Sequence, residues 1–133
     1  MYEDTMIKIW GTRKRLLLTD TTEVDLLDLK KGSFCSIHSH NFKYNYFYDI
    51  SAIVQIKTEL GDIILRPGED VTVNPHIIHQ FKIIKSGKVL EIAYVNKGII
   101  NMEDIIRTKQ GGRVINGEEM TLDEMREKGY LEL

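Results

Sequence analysis

Gly32-Ser33-Phe34-Cys35-Ser36-Ile37-His38-Ser39-His40 is the stretch from which the fold of this chain is best read. It has the character of a strand that ends in two histidines. Strand side chains alternate between faces, so His38 and His40 should share a face with Ser36 and Phe34. Cys35, Ile37 and Ser39 should take the other face. Two imidazoles on one face can share a divalent metal if other strands supply more ligands. Taken alone, the pair reads as surface histidines at a strand end, and the rest of the chain has to decide.

Composition narrows the field. With 133 residues, 29% charged and 42% hydrophobic, the chain suits one globular domain with a single core. Net charge is −2 and the cations are dispersed, which leaves no nucleic-acid footprint. Cys35 is the lone cysteine. No intrachain disulfide can form, and a reducing, cytoplasmic setting is the expectation. Its outward phase favours a small packed residue over a nucleophile. Met1-Tyr2-Glu3-Asp4 opens the chain without an apolar core for a secretory signal. No apolar run reaches the roughly 20 residues of a membrane span.

Short strand patterns recur with turn residues between them. Trp10-Gly11 reads as a turn, with Trp10 covering one end of the core or walling a site. Strands are predicted over 15–19, 23–29, 44–56, 63–65, 71–73, 77–84 and 89–95. Arg66-Pro67-Gly68-Glu69-Asp70 and Asn74-Pro75 are breaks, and Ser86-Gly87-Lys88 signals a hairpin. Such spacing predicts an all-β barrel or sandwich. Near the end, Asn101 is a candidate N-cap for a short helix through Arg107. Thr121-Leu122-Asp123-Glu124 is a capping box opening a helix to about Lys128, closed by Gly129. Leu122 and Met125 should dock that helix on the barrel or on a partner.

A third histidine joins the pair at a distance. His79 follows Asn74-Pro75 on a predicted strand, beyond Leu65-Arg66-Pro67-Gly68. This order resembles the cupin superfamily, whose first motif runs Gly, five residues, His-x-His, three or four residues, Glu, six residues, Gly. Its second motif leads from Gly through Pro to a third His. Gly32, His38, His40 and His79 fit that pattern. The resemblance implies an all-β single cupin (a double-stranded β-helix, or jelly-roll barrel) over residues 1–113, followed by a short helical extension over 114–133. The glutamate of the motif falls on Asn45, its last glycine on Ala52, and the asparagine that often closes the second motif on Ile83. Asparagine offers a neutral oxygen in place of a carboxylate. The implied ligands are therefore His38, His40 and His79, for Zn, Fe, Mn or Ni. His76, in a loop, and Glu91, on another strand, are weaker candidates.

A narrower resemblance is to type II mannose-6-phosphate isomerase domains. Trp10-Gly11 is similar to their "P-W-G" opening, and Val89-Leu90-Glu91-Ile92 to "P-L-E-x-I-E-V". Glu103-Asp104-Ile105-Ile106-Arg107 and Gly112-Arg113 are similar to the ending "E-D-D-I-V-R-x-x-D-x-Y-G-R". This implies a metal-dependent sugar-phosphate isomerase or epimerase, or a related cupin that binds a sugar or sugar phosphate. Glu91 and Lys43 are then the catalytic candidates. Asn45, Phe47, Arg107 and Arg113 are the candidate substrate contacts, the cations suiting a phosphate or a developing oxyanion. Each cation reads equally as solvated surface charge, and Arg107 as an offset to its own helix dipole. Two alternatives stand beside the isomerase: a non-catalytic cupin that binds a small metabolite or nucleotide sugar, and a metal-dependent dioxygenase. Tyr44, Tyr46, Phe47 and Tyr48 suggest sheet packing or a dimer face, and small cupins imply a homodimer.

Overall fold

The computed structural model describes residues 5–130; the acidic opening stretch Met1–Asp4 lies outside them. Fourteen strands and one helix follow one another: β1 (Thr5–Lys8), β2 (Gly11–Leu18), β3 (Thr22–Leu29), β4 (Ser33–Phe34), β5 (Ile37–Ser39), β6 (Tyr44–Asp49), β7 (Ile53–Thr58), β8 (Gly61–Leu65), β9 (Asp70–Val73), β10 (His79–Lys85), β11 (Gly87–Tyr94), β12 (Ile106–Lys109), β13 (Gly112–Ile115), β14 (Glu118–Thr121) and α1 (Leu122–Glu127).

The strands form two antiparallel sheets that enclose the core. The first runs β1-β2-β3-β11-β6-β9. In the second, β10 pairs with β7 and β8 continues beyond β7; β10 also pairs with both β5 and β4, which lead on to β12 and to β13-β14. Alternation sets the inner faces. On β3, Glu23, Asp25, Leu27 and Leu29 are buried, and on β6 Asn45, Phe47 and Asp49 are. Trp10, Phe47, Phe81, Leu27, Leu29 and Ile56 belong to the main hydrophobic cluster. Trp10 meets Phe81 edge-on at 5.2 Å.

Four sequence expectations are corrected here. The run predicted as one strand over 44–56 is two, because the chain turns between Asp49 and Ala52. The buried Asp49 carboxylate accepts the Ala52 N–H at 2.8 Å and fixes that turn. Ser86-Gly87-Lys88 makes no hairpin. It carries the chain from β10 in one sheet to β11 in the other, where β11 pairs with β3 and β6. Only glycine fits at the crossing, since a Cβ on Gly87 would lie 2.5 Å from the Ser51 carbonyl carbon.

Residues 101–107 form no helix. The Asn101 side chain accepts the Glu103 N–H at 2.9 Å within a turn, and β12 then pairs with β5. Arg107 therefore lies on a sheet edge, with no helix dipole of its own to offset. Finally, the opening stretch is interrupted at Cys35-Ser36, between β4 and β5, and this shifts the alternation. Cys35 enters the inner cluster, while Phe34 is buried outside it, beneath Lys82. The Cys35 Sγ accepts the Phe81 N–H at 3.2 Å, and burial pushes the thiol up to about 12. A packed, protonated thiol is the result.

The tail carries out its capping signal. Thr121 and Glu124 form a reciprocal capping box, Lys128 is the C-cap, Gly129 has φ 78°, and Met125 is buried. The β13-β14 hairpin that precedes α1 extends the second sheet alongside β4. No helix among the described residues is long and apolar enough to cross a membrane.

Candidate metal centre and cavity

Adjacent strands of the second sheet bring the three histidines together. His38 on β5 pairs directly with His79 at the start of β10, and His40 follows the end of β5. Ring centres are 4.4 Å apart for His38 and His79, 5.0 Å for His38 and His40, and 5.5 Å for His40 and His79. Their ligating nitrogens all lie within 4.8 Å of one another.

Backbone carbonyls fix each ring. Nδ1 of His38 lies 2.9 Å from the Ser36 carbonyl, that of His40 2.6 Å from the Asp104 carbonyl, and that of His79 2.9 Å from the Ile77 carbonyl. A carbonyl only accepts, so each Nδ1 carries the proton and each Nε2 keeps a lone pair. Nε2 of His40 and of His79 is buried with no hydrogen-bond partner, as is Oδ1 of Asn45. Burial drives His38 down to about 3 and His40 to about 4, and it lowers His79 as well. Neutral imidazoles with carbonyl-anchored Nδ1–H and unpaired Nε2 atoms are the donor set a divalent metal takes. His38, His40 and His79 thus fit a metal.

Two residues outside the ligand set hold His40 in place. The Asp104 carboxylate accepts the backbone N–H groups of Asn41, Phe42 and Lys43 at 2.8, 2.9 and 3.2 Å, clamping the loop after His40. Burial raises its carboxyl, but these donors outweigh that and the net shift is downward. Its role was hidden within the segment read as a helix. His76, at φ 70°, donates its backbone N–H to the His40 carbonyl at 2.7 Å and is not part of the triad.

The triad opens onto a cavity of about 520 Å³ between the sheets, which Lys43, Asn45, Phe47, Glu91 and Arg107 also line. Asn45 donates Nδ2 to Glu91 Oε2 at 2.9 Å. Burial raises the Glu91 carboxyl, against the opposing pull of Arg13, and lowers Lys43. Phe47 is a buried wall residue, 6.5 Å from Phe81 between ring centres. Arg113 does not line the cavity; its Nε donates to the Ile9 carbonyl at 3.0 Å. The tyrosines of β6 turn away from the cavity. Tyr44 stacks on Tyr94 at 5.0 Å, and Tyr46 donates to Asp70 at 2.8 Å.

The first sheet adds a charged wall that the sequence reading missed. Glu23 and Asp25 are buried, and Arg13 bridges them, with 2.7 Å contacts to each; Arg15 reaches Glu23 at 3.0 Å. All four line the cavity. The signal was present in Glu23-x-Asp25-x-Leu27-x-Leu29. If the leucines face inward, so do the carboxylates.

No family model matches the sequence, and no curated protein does either. Solved structures share the fold. KdgF from a Halomonas species aligns with a TM-score of 0.63 at 16% identity, over 71% of this chain and 89% of its own. An RmlC-like cupin from Shewanella frigidimarina gives 0.64 at 16%, over 72% and 85%. A Streptomyces PAC13 variant with uridine gives 0.66 at 13%, over 81% and 85%. At such identities the likeness shows the fold alone, a cupin jelly roll.

Proposed function

We propose that this chain of cupin fold is a metal-dependent protein that binds a sugar or sugar phosphate in its cavity and moves a proton on it, as an aldose–ketose isomerase or epimerase does. One observation supports this most strongly: unpartnered imidazole nitrogens and the Glu91 carboxyl line the same cavity. His38, His40 and His79 would hold the ion, with the Asn45 amide oxygen a further candidate donor. When bound, a divalent metal polarises carbonyl or hydroxyl oxygens.

The chain's own groups supply the rest. Glu91, raised by burial, takes a proton from the ligand and returns it to a neighbouring atom. Lys43 is lowered by burial and faces the same space, where it stabilises developing negative charge. Arg107, on the edge strand β12, meets an anionic group at the rim. Phe47 gives an apolar face for sugar C–H groups. Pairing of two copies belongs to the same proposal, because Ile7, Leu16 and Leu17 are exposed on the β1-β2 hairpin.

A second reading, binding of a nucleoside or nucleotide sugar without turnover, is favoured by the likeness to the PAC13 structure with uridine. The experiment has two stages. Metal content is measured on protein purified without a histidine tag; the expected result is one divalent ion per chain, and no stoichiometric metal would sink the proposal. Metal-loaded protein is then incubated with a panel of aldose phosphates and assayed for ketose. Ketose formation supports the isomerase. Tight binding of uridine or a nucleotide sugar with no turnover replaces it with the second reading.

A further inference from the structure

Asp25 on β3 is buried in the cavity wall, with 1% of its surface exposed. One oxygen of its carboxyl is engaged and the other is not. Arg13 on β2 gives Nε to Oδ2 at 2.7 Å and a terminal nitrogen to Glu23 at 2.7 Å, which holds Oδ2 in place. Arg15 stands opposite Asp25 in the sheet, yet its guanidinium goes to Glu23 at 3.0 Å. Oδ1 is left buried with no hydrogen-bond partner. A buried acceptor without a donor is costly, so this atom is a place for a donor from outside the chain.

There is room beside it. Ala93 on β11 stands opposite Glu23 on one side and Asn45 on the other, and it lines the cavity with a single methyl. Asp25 is the next inward residue along β3 from Glu23, so Ala93 is its diagonal neighbour, roughly 7–8 Å away. The charges of the cavity decide the kind of donor. Among the described residues that line it, five cationic side chains, Lys8 and Arg107 among them, outnumber three carboxyls. A cationic donor is disfavoured there and a neutral one is not. A hydroxyl can donate to a carboxylate or accept from a carboxylic acid, so it suits Oδ1 in either state.

We propose that Asp25 is a hydroxyl-recognising residue, whose Oδ1 hydrogen-bonds a hydroxyl of a polyhydroxy ligand as its carbon chain passes over Ala93. This rests on the reading of the cavity as a sugar-phosphate site and adds a specificity to it. A ligand with a free hydroxyl on the carbon beside Ala93 satisfies Oδ1. A ligand deoxygenated at that carbon strands it and is rejected. Asp25 touches the ligand and moves no proton.

Calorimetric titration with sorbitol 6-phosphate and with hexyl phosphate tests this, on the full chain loaded with zinc or, if it takes none, as purified. The two share a six-carbon chain and an anionic end, differ in their hydroxyls, and carry no carbonyl to isomerise. Sorbitol 6-phosphate should bind tighter by about tenfold or more. Asp25→Ala should cut that preference to about threefold or less, chiefly by weakening the hexitol phosphate. If Asp25→Ala does not fold, a crystal structure of the wild-type complex with sorbitol 6-phosphate decides, and a ligand hydroxyl should lie within hydrogen-bond distance of Oδ1. Equal affinities, binding of neither phosphate, a preference that survives Asp25→Ala, or a complex that leaves Oδ1 unpaired overturns the assignment, while metal content and ketose formation stand as measured. Absence of metal or of ketose would instead undo the isomerase reading and leave the hexitol preference in place.

Discussion

His38 and His79 stand opposite one another across the β5-β10 pair, with ring centres 4.4 Å apart, and each anchors its Nδ1 on a carbonyl two residues back in its own chain segment. Neither ring depends on the other for orientation. Replacing one should therefore leave the other poised while removing a ligand. His79→Ala is expected to weaken zinc binding by about 100-fold or more with the fold retained, since structural and catalytic zinc sites need at least three protein ligands. Calorimetric titration with zinc and a circular dichroism spectrum check this. Unchanged stoichiometry and affinity would mean a different ligand set.

The clamp formed by Asp104 leads to a second expectation. Asp104→Ala removes the acceptor for three backbone N–H groups and loosens the loop that presents His40. Stability should fall by about 1–3 kcal/mol, and metal affinity by about 10- to 100-fold. The carboxyl is lowered in the fold, so its contribution is present above the unfolded carboxylate range and lost as pH falls through the folded value. The variant should lose that part of the acid sensitivity. Urea unfolding midpoints of both proteins from pH 7 to pH 3 measure it.

Metal-free protein should also weaken on mild acidification, for a separate reason. His38 and His40 are held neutral down to about 3 and 4, whereas in the unfolded chain they protonate near 6.5. The unfolded state thus binds more protons below about pH 6.5, and stability declines from there toward pH 4. Replacing His38 by Gln should flatten this limb. A wild-type unfolding midpoint that stays level from pH 7 to pH 4.5 would contradict the buried, neutral triad.

Much of this was legible in the chain itself. The three histidines come together as the motif spacing implies, the chain is a succession of short strands, and the Thr121–Glu124 capping box opens α1. What escaped depended on long-range pairing. Ser86-Gly87-Lys88 looks like a hairpin until β11 is seen to choose β3 and β6 over β10. Asn101 caps a turn because β5 offers β12 a strand partner, and strand pairing overrides a weak helix signal. Cys35 changed face because a two-residue interruption is invisible to a period-two count. Glu23 and Asp25 were overlooked because charged residues are rarely fully buried unless paired, and their partners Arg13 and Arg15 lie across a turn on β2.

Trp10 gives the cavity a voice of its own. It is the chain's one tryptophan, 9% exposed, set edge-on to Phe81 in the wall that also holds the histidines. Indole emission depends on the polarity and mobility of what surrounds it. A molecule that enters the cavity lies beside this ring and beside no other indole, so tryptophan emission, excited beyond the absorption of the six tyrosines, is an unlabelled gauge of occupancy.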